Sequence, residues 1–246
     1  MSIESSEDLE GLKRIGRIVA EILRILRNAV RPGITTADLD EIAARELASR
    51  GAQSSPPLVY GFPGACCISV NDEVVHGVPG KRVIAAGDVL KLDLTAQKDG
   101  YVADAAISVA VPPVDAVSER LVCCAERAFR RAMGVARSGN KISDIGATVE
   151  REVRRSGFDV VRDLCGHGVG RKIHEPPQVP NYYDPASRAK LTDGLVITVE
   201  PIITAGVDAV HTAHDGWTVR TDDGARSAHF EHSIVITSRD PILLTA

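Results

Sequence analysis

Five residues of types that hold metal ions, Asp93, Asp104, His167, Glu200 and Glu231, stand in short apolar, strand-like or glycine-rich segments of this chain. Carboxylates set among apolar neighbours lose hydration and repel one another, so a group of them needs a compensating cation. Four carboxylates carry four negative charges, and two divalent ions carry four positive ones. The charge balance therefore points to a dinuclear site. The set is rich in oxygen, has one imidazole and lacks thiolate. That suits Mn²⁺, Fe²⁺, Co²⁺ or Zn²⁺ better than a sulfur-bound structural zinc, and does not choose among the four ions. Two such ions about 3.5–4 Å apart share a bridging water and lower its pKa towards ~7, which supplies hydroxide at neutral pH. The expected chemistry is metal-assisted hydrolysis of an amide or an ester.

Local patterns say how these residues are brought together. Asp93 lies in Leu90-Lys91-Leu92-Asp93-Leu94-Thr95 and Asp104 in Tyr101-Val102-Ala103-Asp104-Ala105-Ala106, separated by the turn signal Gln97-Lys98-Asp99-Gly100. A hairpin folded there makes the two aspartates near cross-strand neighbours. Glu200 closes the run Val196-Ile197-Thr198-Val199 and precedes Pro201, which favours an extended backbone. Glu231 opens another strand pattern, Phe230 to Ile236. His167 has glycine on both sides, which exposes its ring and lets other backbone approach. His76 and His174 also sit in glycine- and proline-rich context and read as functional. His211, His214, His229 and His232 read as hydrogen-bonded structural histidines.

The elements that position these residues repeat. Gly33, Asp38, Leu39, Glu46 and Gly51 match Gly139, Asp144, Ile145, Glu152 and Gly157 at a constant offset of 106. In each copy a glycine turn leads to an N-cap candidate (Thr35 or Thr36, and Ser143), then a helix closed by glycine. Another helix precedes each copy, with apolar residues every three or four positions from Leu9 to Ala29 and from Val117 to Met133. Strand-like runs follow at 66–70, 89–95 and 101–109, then at 195–203 and 230–237. The plan is α+β: two pseudo-symmetric α-α-β-β halves, of about 9–111 and 118–238, with helices on one side of a shared sheet and a seam at Pro112-Pro113. Arg14, Arg17, Arg24 and Arg27 form the solvated face of the first helix.

Composition narrows the class. The 246 residues suffice for one large domain, and 44% apolar with 25% charged residues is ordinary for a globular protein. A net charge of −4 offers no positive field for nucleic acid. The acidic, polar start has no signal-peptide pattern and no window reaches a membrane span, so a cytoplasmic location is expected. The five cysteines, Cys66, Cys67, Cys123, Cys124 and Cys165, show no C-x-x-C spacing and read as small buried residues, with Cys67 placed to line a pocket.

Several segments resemble the methionine aminopeptidases. They are Cys67 to Pro79, Gly166-His167-Gly168-Val169-Gly170, His174-Glu175-Pro176, Val199-Glu200-Pro201, Asp215 to Val219 and Ser227 to His232. The resemblance runs from about residue 9 to about 238 in the family's order and spacing, and is to its short type I members. It implies the pita-bread (creatinase/aminopeptidase-like) fold around a central antiparallel sheet, as one metallo-aminopeptidase domain over 1–246. It also implies removal of N-terminal methionine before a small second residue, by a hydroxide bridging two divalent ions. By resemblance Asp93 chelates one ion, Asp104 and Glu231 bridge both, and His167 and Glu200 hold the other, Glu200 also handling the proton of the attacking water. His76 and His174 contact the scissile peptide and steady the oxyanion. Phe62, Cys67 and Trp217 keep their places in the methionine pocket. Val59 stands where a nearby tyrosine is usual, Ile173 where an aromatic is usual, His229 for a glutamine and Pro176 for a second glutamate. These departures touch none of the five ligands and bear on pocket shape. The implied partners are nascent polypeptides, with transient ribosome contact, no membrane, no specific nucleic acid, and a monomeric chain.

The rival readings are an Xaa-Pro peptidase or creatinase-like hydrolase of the same fold, a non-catalytic binding protein on that fold, and a metal-stabilised structural protein. The first two usually carry an additional N-terminal domain. The third would be expected to lose ligands. The last leaves His76 and His174 unexplained.

Overall fold

The computed structural model describes all of residues 1–246. The first half contains α1 (Ser6–Ala29), α2 (Thr36–Ser49), β1 (Gln53–Ser54), α3 (Ser55–Tyr60), β2 (Cys67–Val70), β3 (Glu73–Val75), β4 (Val89–Lys98) and β5 (Tyr101–Ala110). The second half opens with α4 (Ala116–Met133), α5 (Ile142–Arg155), β6 (Asp159–Val160), β7 (Cys165–Gly168) and β8 (Glu175–Pro180). It continues with β9 (Val196–Val199), β10 (Ile202–Thr204), β11 (Val210–Thr212), β12 (Val219–Thr221), β13 (Ser227–His229), β14 (Glu231–Val235) and β15 (Ile242–Leu243).

The repeat is visible as structure. α2 and α5 both have fourteen residues, and their first and last positions differ by the same 106 (36 to 142, 49 to 155). Gly33 and Gly139 share φ values of 91° and 95°, and Gly51 and Gly157 both close their helices in the left-handed region. One expectation fails here. Ser143 is not the cap of α5, since the helix starts at Ile142 and Lys141 occupies the N-cap. The offset makes Lys141 the counterpart of Thr35, and a lysine side chain has no acceptor. What survives in both copies is the aspartate three residues on: Asp38 accepts from the Thr35 N–H and Asp144 from the Lys141 N–H, each at 2.8 Å.

Nine strands form the main antiparallel sheet, in the path β1-β4-β5-β14-β9-β7-β8 with β2 on β4 and β15 on β14. The β4–β5 hairpin pairs ten residues with ten, from Val89↔Ala110 to Lys98↔Tyr101. Its two-residue turn, Asp99-Gly100, has φ of 52° and 79°, the primed turn that matches strand twist. Leu92 and Leu94 of β4 pack with Leu12, Ile15 and Val19 of α1 in one core, and Ile197 and Val199 of β9 pack with α4 and α5 in the other. Side chains alternate along a strand, so Asp93, Asp104, Glu231 and Thr198 all point to the face away from the helices.

The run expected at 195–203 is not one strand. β9 ends at Val199 in the main sheet, and β10 begins at Ile202 in a three-stranded sheet with β13 and β6. Across from it, β13 ends at His229 and β14 starts at Glu231, so the paired strand changes sheet at the same level. Pro201 lacks the N–H a central strand would use, and its carbonyl instead accepts from the Phe230 N–H. Register is kept across the bend: His232↔Val199 on one side and Ile202↔His229 on the other set Glu200 opposite Glu231.

Candidate metal centre

The four carboxylates occupy neighbouring rows at the middle of the main sheet. Asp93 pairs with Ala106 and Ala106 with Glu231, which faces Glu200. In the next row Thr95 pairs with Asp104, and the Ser233 Oγ accepts from the Asp104 N–H while donating to its carbonyl. Asp93 and Asp104 are thus diagonal neighbours across the hairpin, within side-chain reach.

His167 enters from β7. A Cβ on Gly166 would lie 2.6 Å from the Thr198 carbonyl oxygen, and one on Gly168 only 2.2 Å from that of Pro176. Only glycine on both sides lets the flanking strands close around the imidazole. Its Nδ1 is 2.9 Å from the Gly168 carbonyl, so with Nδ1 as donor the Nε2 lone pair faces Asp104 Oδ2 at 3.9 Å and Glu200 Oε1 at 3.6 Å. Thr198 ties the arrangement together. Its hydroxyl accepts from the His167 N–H at 3.0 Å and donates to Glu200 Oε1 at 2.9 Å. The Asn181 amide holds the Glu200 carbonyl at 2.9 Å.

The electrostatics disfavour four bare carboxylates and suit a cation. Burial pushes the Asp93, Glu200 and Glu231 carboxyls well above the usual carboxylate range, and the Asp104 charge pushes all three further the same way. Burial raises Asp104 as well, against a hydrogen bond from Thr95 that lowers it. Asp104 Oδ1 and Glu231 Oε1 are buried with no hydrogen-bond partner. Orphaned carboxylate oxygens at this density are costly unless an ion accepts them. Donor atoms of Asp104, His167 and Glu231 lie within 4.8 Å of one another, as do those of Glu200, His229 and Glu231. The donors present therefore fit divalent ions.

Above the carboxylates is a cavity of about 530 Å³, lined by all five of these residues and by His76, His174, Phe62, Cys67, Ile173 and Trp217. Phe62 and Trp217 meet edge to face, with ring centroids 5.4 Å apart. The ring of His174 stands 4.2 Å from that of His167, and burial, then His167, lowers its pKa. His76 adopts φ 56°, a left-handed conformation uncommon for a non-glycine residue, at the same cavity. Cys67 is held protonated, first by burial and then by Asp93, and is no nucleophile.

Two expectations are corrected. Val59 does not line this cavity: it is 53% exposed and borders only a smaller hollow next to it. In the short α3 one residue is about 100° of rotation, so the next, Tyr60, reaches the cavity edge while remaining exposed. Tyr60 lines the cavity and its hydroxyl lies 2.6 Å from His174 Nδ1, so the tyrosine looked for at 59 is present at 60. His229, read as a hydrogen-bonded structural residue, is buried with neither ring nitrogen partnered. His211 and His232 do have the partners expected of structural histidines, Asp222 and Thr245. Thr198 carried no signal as a lone threonine in an apolar run. Pro176, the remaining departure, is part of the cavity wall.

Residues 10–238 match the model of metallopeptidase family M24. The chain belongs to metallopeptidase family M24. Methionine aminopeptidase 2 of Bacillus subtilis is 42% identical over 100% of this chain and 99% of its own. The crystal structure of methionine aminopeptidase from Thermotoga maritima superposes with a TM-score of 0.96 at 35% identity, covering 100% of this chain and 99% of that one. Prolidase from Pyrococcus furiosus, at 19% identity and a TM-score of 0.79, covers 99% of this chain and 65% of that one, and shares the fold alone. This M24 member is thus a metal-dependent hydrolase with the pita-bread fold, of the methionine aminopeptidase kind.

Proposed function

We propose that this M24 enzyme removes the N-terminal methionine from polypeptides whose second residue is small. The observation that supports this reading is that Tyr60, Phe62, Cys67, Ile173 and Trp217 line the same cavity as the buried carboxylate cluster. A thioether side chain fits such a lining, and the peptide bond after it then falls at the carboxylates.

Asp93, Asp104, His167, Glu200 and Glu231 would hold two divalent ions, which supply a water of lowered pKa and polarise the scissile carbonyl. The chain's own groups do the rest. Glu200, buried and set by Thr198 and Asn181, takes the proton of the attacking water and passes it to the leaving amine. Burial raises the Tyr60 phenol, which keeps its proton and donates to His174 Nδ1. His174 then presents Nε2–H to the carbonyl oxygen as negative charge develops. His76 lines the same cavity and orients the peptide. One chain supplies every group, which supports a working monomer. The implied substrate is the start of a nascent chain, met at the ribosome in the cytoplasm; no helix is long and apolar enough to cross a membrane.

The test is release of methionine from Met-Ala-Ser by metal-stripped protein reloaded separately with Mn²⁺, Fe²⁺, Co²⁺ or Zn²⁺. Metal-dependent release, with Leu-Ala-Ser and Ala-Pro-Ala left intact, is the expected result. Cleavage of Ala-Pro-Ala alone would move the enzyme to the Xaa-Pro specificity, and no cleavage with ions bound would remove the catalytic reading.

A further inference from the structure

His229 lies on β13 at the bend where the strand pair changes sheet, two residues before Glu231. It is 1% exposed, yet neither Nδ1 nor Nε2 has a hydrogen-bond partner. A buried polar group left unpaired forfeits the hydration it had in water, so an imidazole held this way calls for a partner the protein does not supply. Its backbone is fixed on both sides by Ser108 of β5, whose hydroxyl accepts from the His229 N–H and donates to its carbonyl, both at 2.9 Å. The ring is therefore aimed by the sheet.

It is aimed at the carboxylates. His229 Nε2 lies 3.5 Å from Glu231 Oε2 and 3.7 Å from Glu200 Oε2. Both exceed the roughly 2.7–3.2 Å of a good N–H···O bond. They match the separations of His167 Nε2 from Glu200 and Asp104, 3.6 and 3.9 Å. Two donors that each stand about 2.0–2.2 Å from one ion are roughly 3–4 Å apart at the usual ligand angles. Glu200 turns Oε1 towards His167 and Oε2 towards His229, so it stands between two imidazoles of similar reach.

We propose that His229 Nε2 is a metal ligand, forming with Glu200 and Glu231 a second imidazole-bearing donor set beside Asp104, His167 and Glu231. Ligation by His229 presupposes that the cluster binds divalent ions at all. A neutral donor leaves the balance of four carboxylates against two dications intact. A second imidazole shifts preference away from Mn²⁺ and towards Fe²⁺, Co²⁺ and Zn²⁺.

The test is ¹H NMR of the Co²⁺-loaded full chain, in which each ligated imidazole contributes one exchangeable, hyperfine-shifted N–H signal. The wild type is expected to show two, and His229→Gln, a substitution of similar size and polarity, to show one with bound cobalt retained. Titration of the metal-free proteins should show one Co²⁺ held ~10–100-fold more weakly in His229→Gln, while Mn²⁺ affinity changes less. A single signal in both proteins at full cobalt loading would overturn ligation by His229 and leave the five-ligand reading standing. If neither protein takes up cobalt, no shifted signal appears, and the metal reading falls together with the sixth ligand.

Discussion

The two strand pairs that carry the carboxylates are built differently. The β4–β5 hairpin is continuous, with ten residues on each side, and delivers Asp93 and Asp104 from its interior through a turn two residues long. The β9/β10 and β13/β14 pair joins segments far apart in sequence and is bent at Pro201 and Phe230, delivering Glu200 and Glu231 from the bend. A hairpin interior offers one row of side chains to a site. A bend between two sheets also brings in the residues just beyond it, which is how His229 and Thr198 reach the same carboxylates. The hairpin supplies the two aspartates, and the bent pair supplies two glutamates together with Thr198, which orients both Glu200 and His167.

The largest effects test whether the two pairs serve one centre. Asp104→Ala in the hairpin and Glu231→Ala at the bend should each drop kcat/KM below ~10⁻³ of wild type with loss of bound metal. Near-normal turnover in either would show that the two pairs do not share ions. His174→Ala should keep its metal while kcat falls ~10²–10³-fold, measured by steady-state kinetics beside metal analysis. Metal loss there would make His174 a ligand or a support. The orienting groups sharpen the comparison. Thr198→Val unties both His167 and Glu200 and should weaken metal binding ~10–100-fold. Thr95→Val changes only the residue opposite Asp104 in the hairpin and should cost less, so an equal loss from the two would erase the asymmetry.

A pH series reports the carboxylates directly. Their folded-state pKa values are raised when no metal is bound, so their contribution to stability is complete below about pH 4, where the unfolded chain holds the same protons. It is lost as pH rises through the raised values. Metal-free wild type should therefore lose Tm with rising pH more steeply than metal-free Glu231→Gln, and Mn²⁺ should abolish the difference. The smallest effect belongs to the turn. Gly100→Ala places a Cβ at φ 79° and should cost about 1 kcal/mol, roughly 2–4 °C in Tm, with kcat/KM unchanged.

Legibility follows the same division. The hairpin and the α2/α5 repeat depend on residues close in sequence, so apolar alternation, a turn dipeptide and two glycines sufficed to place Asp93, Asp104 and both helices. The bend depends on pairing between Val199 and His232, which no local pattern reveals, and so the run through Pro201 read as one strand. His229 reads as structural because the burial that leaves its ring unpartnered arises only once β13 and β10 pair. Tyr60 was missed by one position because a glycine- and proline-rich segment gives no phase for a six-residue helix. Ser143 read as a cap because serine caps often, while the repeat itself designates Lys141.

The two halves meet across the main sheet at β5 and β14, where only Glu231↔Ala106 and His232↔Ala105 are in register. Asp104 and Glu231 stand on opposite sides of that short join. If Asp104 and Glu231 hold an ion, it would tie the two halves together across this join, and a ligand at 100 times its Kd adds about 2.7 kcal/mol to the folded state. A cell short of metal would then hold this enzyme in a form that opens more often along the join and is cut there sooner by proteases. Scarcity of the ion would lower how long each copy lasts as well as how fast it works.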